Sequence, residues 1–182
     1  MRIIGVDPGS TATGYGVVDY ADGRVVHVAH GILRPPRTAS LAARLAHIHG
    51  GLAEIVALHA PDTAVVEKVF VASNPRSALV LGQARGVALA ALAAAGLTVG
   101  ELAAREVKKA VVGHGGAAKA QVQTMVMRLL DLRTEPASDA ADALAVAICQ
   151  AHAGRLAGLD VRGRRRRSVR ARHEGEWTRM RT

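Results

Sequence analysis

Hydrophobic and polar residues alternate along this chain in two rhythms. RIIGVD is a short apolar run with the form of a buried strand, and YGVVDY follows it across a Gly/Ser/Thr turn as an antiparallel neighbour. RVVHVAHGIL alternates clearly enough to predict a third strand. Over residues 40–59 the spacing becomes helical, with Leu41, Leu45, Ile48, Leu52, Ile55 and Val56 recurring on one side. After a break at Pro61, TAVVEKVFV is a β-branched strand, and a long helix is predicted from about Pro75 to Ala95 with Gly96 as its stop. A short strand in LTVGELA comes next, then a helix near REVKKAVVG, the glycine loop GHGGAAK, and a helix from about Lys119 to Leu132. The last helix begins near Ser138, which has the chemistry of an N-cap. The order β-β-β-α-β-α-β-α-α-α predicts an α/β fold, a central mixed sheet flanked by helices.

A length of 182 residues fits one domain with a substantial core. The net charge of +9 changes that picture, because most of it sits at one end. Residues 162–182 hold nine arginines against Glu174 and Glu176, a balance of +7, which leaves residues 1–161 with 15 basic and 13 acidic groups. We therefore expect a folded domain over 1–158 and a basic, disordered tail over 159–182 that adds salt-sensitive attraction to phosphates. Cys149 is the sole cysteine, so an intramolecular disulfide and a cysteine zinc cluster are both excluded and a reducing cytosol is expected. The longest uncharged run, Gly86 to Gly100, is shorter than the ~18–20 residues that cross a membrane, so the expectation is a soluble, cytoplasmic protein with no membrane partner.

Four carboxylates fit this pattern poorly. Asp7 ends an apolar strand just before PGS, where an unpaired buried charge costs several kcal/mol; Asp-Pro-Gly turn chemistry is the plain alternative. Glu67 interrupts the β-branched run VVEKVF, or faces outward from an edge strand. Asp139 and Asp142, spaced i, i+3, share one helix face with Cβ atoms roughly 5–6 Å apart. The helix dipole favours both in a first turn. Their neighbours Ala137, Ala140, Ala141 and Ala143 are all small, which would let the helix lie close against a sheet and point both aspartates into a confined space. Like charges held that close require a counter-cation. Oxygen ligands of this kind suit Mg²⁺ or Mn²⁺, and a pair of such ions ~3.5–4 Å apart activates water and stabilises a leaving phosphodiester oxygen.

With these residues in place, IIGVDPGSTATGYGVVD, VVEKVF, SALVLGQARGVALAA, AAREVKKAVVGHGGAAKAQVQ and DAADALAVAI together resemble the RuvC family of Holliday-junction resolvases, from about Arg2 to residue 152. The resemblance implies an RNase H-like fold. It also implies a homodimeric endonuclease that places paired, metal-dependent nicks across four-way DNA junctions in recombination and repair, with 5′-phosphate products. By motif, Asp7, Glu67, Asp139 and Asp142 are the expected ligands of two Mg²⁺ or Mn²⁺ ions. Phe70, three residues after Glu67, is the expected base-stacking aromatic, with a core position as its alternative. Lys108 and Lys119 resemble the family's basic residues near the cut phosphate, and Lys119 follows a glycine loop at a helix start, where a phosphate oxygen is well held. Arg76 and Arg85 flank the long helix as candidates for DNA backbone contacts. His114 is either a proton shuttle or a surface loop residue. The long helix is apolar on too many sides for one sheet contact, so it is either sandwiched in the core or part of a dimer interface. A RuvA–RuvB branch-migration complex is the partner that the family implies.

Rival readings are weaker. GSTATG has P-loop spacing, but Tyr15 stands where the lysine belongs. An actin-like ATPase would need a second such domain, for which the chain lacks room. A related RNase H-like nuclease acting on RNA or ordinary duplexes, and a non-catalytic junction binder, are separated from a resolvase by a cleavage test. The tail, including Trp177, matches no family motif.

Overall fold

The computed structural model describes residues 1–68 and 74–153. Phe70, the tail and Trp177 lie outside the described residues. Five strands, β1 (Arg2–Asp7), β2 (Thr13–Ala21), β3 (Arg24–Leu33), β4 (Thr63–Lys68) and β5 (Thr98–Ala103), form one sheet in the order β3-β2-β1-β4-β5. β1 pairs antiparallel with β2 and parallel with β4, and β4 is parallel to β5, so the sheet is mixed as expected. Helices α1 (Leu41–His59), α2 (Pro75–Ala94), α3 (Ala104–Val112) and α4 (Lys119–Leu129) follow the predicted places. A last helix, α5, covers residues 138–153.

The period-2 geometry of the strands divides the core into two layers. Ile4, Val6, Val17, Ala64 and Val66 pack with Ile48, Leu52 and Ile55 of α1 and with Ala84, Ala88, Ala91 and Leu92 of α2. Ile3, Val18 and Val65 point the other way, onto Val107 and Val111 of α3, Val122 and Val126 of α4, and the Leu144–Cys149 stretch of α5. By length and composition alone α1 and α2 could cross a membrane, a property that the charge-free-run test missed. Their buried side chains belong to the sheet's core, which is the reading we adopt. α2 is not sandwiched: only Ala84, Ala88, Ala91 and Leu92 are buried, and Leu79 is 65% exposed.

Local chemistry sets the boundaries. The β2–β3 hairpin turns on Asp22 (φ 51°) and Gly23 (φ 81°), both left-handed, which is the Asp-Gly preference of a two-residue turn. Ser40 Oγ accepts the Ala43 N–H at the start of α1, and Asn74 Oδ1 accepts the Arg76 N–H at the start of α2. Glu106 and Gln121 reach back to the Ala103 and Ala118 N–H groups ahead of α3 and α4. Ser138 is not the cap of α5. The Ala141 N–H donates to Ala137 O, which closes the first turn one residue earlier and leaves Ser138 inside the helix.

Candidate active site

β1 and β4 lie side by side with Val6 opposite Val66, so the next residues, Asp7 and Glu67, come adjacent on the face that carries α5. β4 is an interior strand, which removes the edge-strand explanation for Glu67. α5 reaches these carboxylates because three glycines let it sit directly on the β1–β2 backbone. A Cβ on Gly5 would collide with Ala143 O and stand 2.7 Å from Ala147 N, and one on Gly14 would collide with Asp139 O. One on Gly16 would stand 2.7 Å from Leu144 Cγ. Ala140, Ala141 and Ala143 are buried in the contact as the small-neighbour argument requires, whereas Ala137 is exposed at the cap. Asp139 and Asp142 are thereby brought, half-buried, to the end of the sheet where Asp7 and Glu67 already stand. The loop after Asp7 is pinned by Thr13, whose buried hydroxyl donates to Gly9 O (2.7 Å) and accepts from Gly9 N–H (3.2 Å). Sequence reasoning passed over both this hydroxyl and the glycine seats. Their only signal was three glycines facing an alanine-rich helix.

The electrostatics record the crowding. Burial, then the charge of Glu67, then that of Asp142, push the Asp7 carboxyl up to about 8; its hydrogen bond with Glu67 and the charge of Asp139 add to this. Glu67 is raised as well, chiefly by burial and then by Asp142, while its hydrogen bond to Asp7 and the charges of Lys119 and Lys108 work against the rise. Asp7 and Glu67 therefore share one proton as a pair, retained by burial and by the charge of Asp142. Lys119 Nζ lies 2.7 Å from Asp142 Oδ2, and this carboxylate is the main reason that the lysine is raised. Glu67, Lys108, Lys119 and Asp142 line a cleft of about 180 Å³.

One proton and one ammonium thus offset part of the negative charge of the four carboxylates. Among the described residues the carboxylates do not close on a common point tightly enough to form a ready cage. The donor set nevertheless fits a hard divalent cation: oxygen ligands only, half-buried, and mutually repelling until a cation arrives. The remaining candidates are spread out. Arg76 is exposed at the first turn of α2. Arg85 lies on the opposite side of the sheet, in an ion pair with Glu101 of β5. His114 is exposed and lines a separate concavity with Arg105 and Lys109, away from the carboxylates. Cys149 is buried and its thiol is pushed up to about 11, first by burial and then by Glu106, so it is no nucleophile.

A mixed sheet flanked by helices, with carboxylates converging on one end from β1, β4 and α5, defines the RNase H-like class of metal-dependent phosphodiesterases. The comparisons with known proteins narrow that class. The model of the crossover junction endodeoxyribonuclease RuvC family matches residues 3–150. The crossover junction endodeoxyribonuclease RuvC of Burkholderia vietnamiensis (strain G4 / LMG 22486) is 54% identical over 158 residues, 87% of each chain. The structure of Thermus thermophilus RuvC superposes with a TM-score of 0.78 at 32% identity, covering 86% of this chain and 97% of that one. T. thermophilus RuvC in complex with Holliday junction substrate gives a TM-score of 0.81 at 32% identity, covering 86% and 96%. The chain belongs to the RuvC family of crossover junction endodeoxyribonucleases and is a nuclease.

Proposed function

We propose that this chain resolves four-way DNA junctions in recombination and repair by paired hydrolytic nicks, with Asp7, Glu67, Asp139 and Asp142 as the residues that would hold two Mg²⁺ or Mn²⁺ ions. The observation that carries the reading is the convergence of four carboxylates from three elements, crowded enough to drive Asp7 up to about 8. Bound divalent ions would supply water activation and charge neutralisation at the leaving 3′-oxygen. The protein's own share is positional. The Gly5, Gly14 and Gly16 seats fix α5, and with it Asp139 and Asp142, against the sheet. Lys119 and Lys108 line the cleft and present positive charge to a phosphate entering it. Cleavage leaves 5′-phosphate and 3′-hydroxyl ends and needs no covalent intermediate.

The same reading assigns Phe70 to base stacking at the junction centre, and Arg76 and Arg85 to backbone contacts. The exposed apolar side of α2, with Leu79 uncovered, supports a homodimer, whose two-fold symmetry would match a junction offering two equivalent strands. A RuvA–RuvB branch-migration complex as partner, and a cytoplasmic location, follow from the family. The test is cleavage of a labelled four-way junction beside a linear duplex of the same sequence, in Mg²⁺, Mn²⁺ or EDTA. Symmetric nicks confined to the junction, absent in EDTA and in Asp7→Asn, are the expected result. Equal cutting of both substrates would make the protein a general nuclease.

A further inference from the structure

We infer that Lys119 is the resting counter-ion of the carboxylate site, held on Asp142 until a divalent ion displaces it and frees its ammonium for the incoming phosphate. This rests on the proposed ion site and goes beyond it, because it gives one lysine two successive partners. Two lysines line the cleft, but they are used differently: Lys119 is ion-paired to Asp142, whereas Lys108 has no ion pair among the described residues. The pair is made from outside. The Lys119 side chain is 58% exposed and that of Asp142 is 25% exposed, so the ammonium meets the carboxylate from the more open side, and both line the same cleft.

The attachment of Lys119 favours release. It is the first residue of α4, following a glycine-rich loop in which Gly113 is left-handed (φ 94°). Its charge is a compact point on a flexible stem, which leaves a carboxylate without losing a bidentate geometry. An ion pair this exposed is worth little in water, so a divalent cation with direct oxygen contacts wins the competition. Once released, the ammonium stays tethered at the cleft, where it meets a phosphate rather than competing for a ligand of the ion. Metal loading and phosphate engagement would then reinforce one another, reciprocally.

The test is Mn²⁺ binding to the full chain without DNA, with free Mn²⁺ counted by electron paramagnetic resonance. Lys119→Met and Lys119→Gln are expected to bind Mn²⁺ about three- to tenfold more tightly than the parent protein. Lys119→Arg, which can re-form the pair, should stay near the parent, and Lys108→Met, which removes the same charge but no ion pair, should gain less. Unchanged or weaker binding in Lys119→Met and Lys119→Gln, or an equal gain in Lys108→Met, overturns the displacement. Binding that depends on Asp7 but is indifferent to Lys119 overturns the displacement alone. No binding by the parent beyond that of Asp7→Asn overturns the ion site and the inference with it.

Discussion

On one face of the sheet, Ile4, Val6, Val17, Ala64 and Val66 meet α1 and α2 through side chains that fill the space between layers. On the other face, Gly5, Gly14 and Gly16 remove side chains so that α5 rests on the strand backbone. The first arrangement is a packing solution: many apolar atoms, with the Arg85–Glu101 pair and the half-buried Arg44 as charged members, and tolerance of apolar residues of similar volume. The second gives up apolar volume to bring two helix carboxylates within interaction range of two strand carboxylates. Stability therefore rests on the α1/α2 face and chemistry on the α5 face, joined by strands whose alternate residues serve each in turn.

The comparison can be broken at several points. The largest expected effect is on catalysis: Asp7→Asn should lower junction cleavage by roughly a thousandfold or more, about 4 kcal/mol of transition-state stabilisation. The same substitution should leave junction binding near the parent value by gel shift, since affinity comes mainly from basic groups. Its stability should carry the opposite sign. Asp7 is raised far above its unfolded value in the folded state, so its contribution is fully present only below the unfolded carboxylate range and is lost as pH rises toward about 8. Asp7→Asn in metal-free buffer should thus gain thermal stability over the parent as pH climbs from about 4, the ordinary carboxylate value, to about 8. Parallel melting curves across that range would show that Asp7 is not held against its charge.

A second pair of variants contrasts the faces directly. Leu52→Ala, on the α1 side, should cost about 2–5 kcal/mol in urea unfolding while cleavage per folded molecule stays unchanged. Gly5→Ala should cost about 1–3 kcal/mol, yet reduce cleavage in the folded fraction, because the added methyl meets the backbone of α5 and lifts Asp139 and Asp142 off the sheet. Equal activity loss in both variants would erase the distinction between the faces.

The smallest effect concerns β3. Val17 pairs with Ala29 and Val18 with His27, so Val28 is the extra residue of a bulge, and His27 and His30 come to one face with Nε2 and Nδ1 2.8 Å apart. Burial, then the His30 charge, lower the His27 value. A lowered histidine contributes stability that is present above its unfolded value and is lost as pH falls through the folded one. His27→Gln should flatten the decline of melting temperature below about pH 6.5, the ordinary histidine value, by a small margin. An unaltered slope would mean that the pair carries no linkage.

Much of this was legible in the chain itself. Strand and helix order, the stop at Gly96 and the four acids that sit badly in apolar surroundings are all local properties, set by side-chain periodicity and by the cost of burying charge. The family resemblance added roles to the same four acids. What stayed hidden was whatever depends on two distant segments meeting. Gly5, Gly14 and Gly16 look like ordinary strand glycines until α5 is laid across them, and Thr13 looks like one more polar turn residue until its hydroxyl is buried against Gly9. Arg85, read as a backbone-contact candidate flanking the long helix, gave no sign that it would pair with Glu101 of β5 on the side of the sheet away from the carboxylates.

The sequence by itself determined which residues are available for chemistry, because residue type and spacing decide which groups ionise and which side of an element they occupy. Only the tertiary structure decided that Asp7 and Glu67 stand side by side, that α5 comes close enough to add Asp139 and Asp142, and that Lys119 rather than Lys108 takes the ion pair. The physical reason is range. Periodicity and propensity act over a few residues, whereas charge coupling and backbone contact depend on separations of a few ångströms that only the folded chain sets.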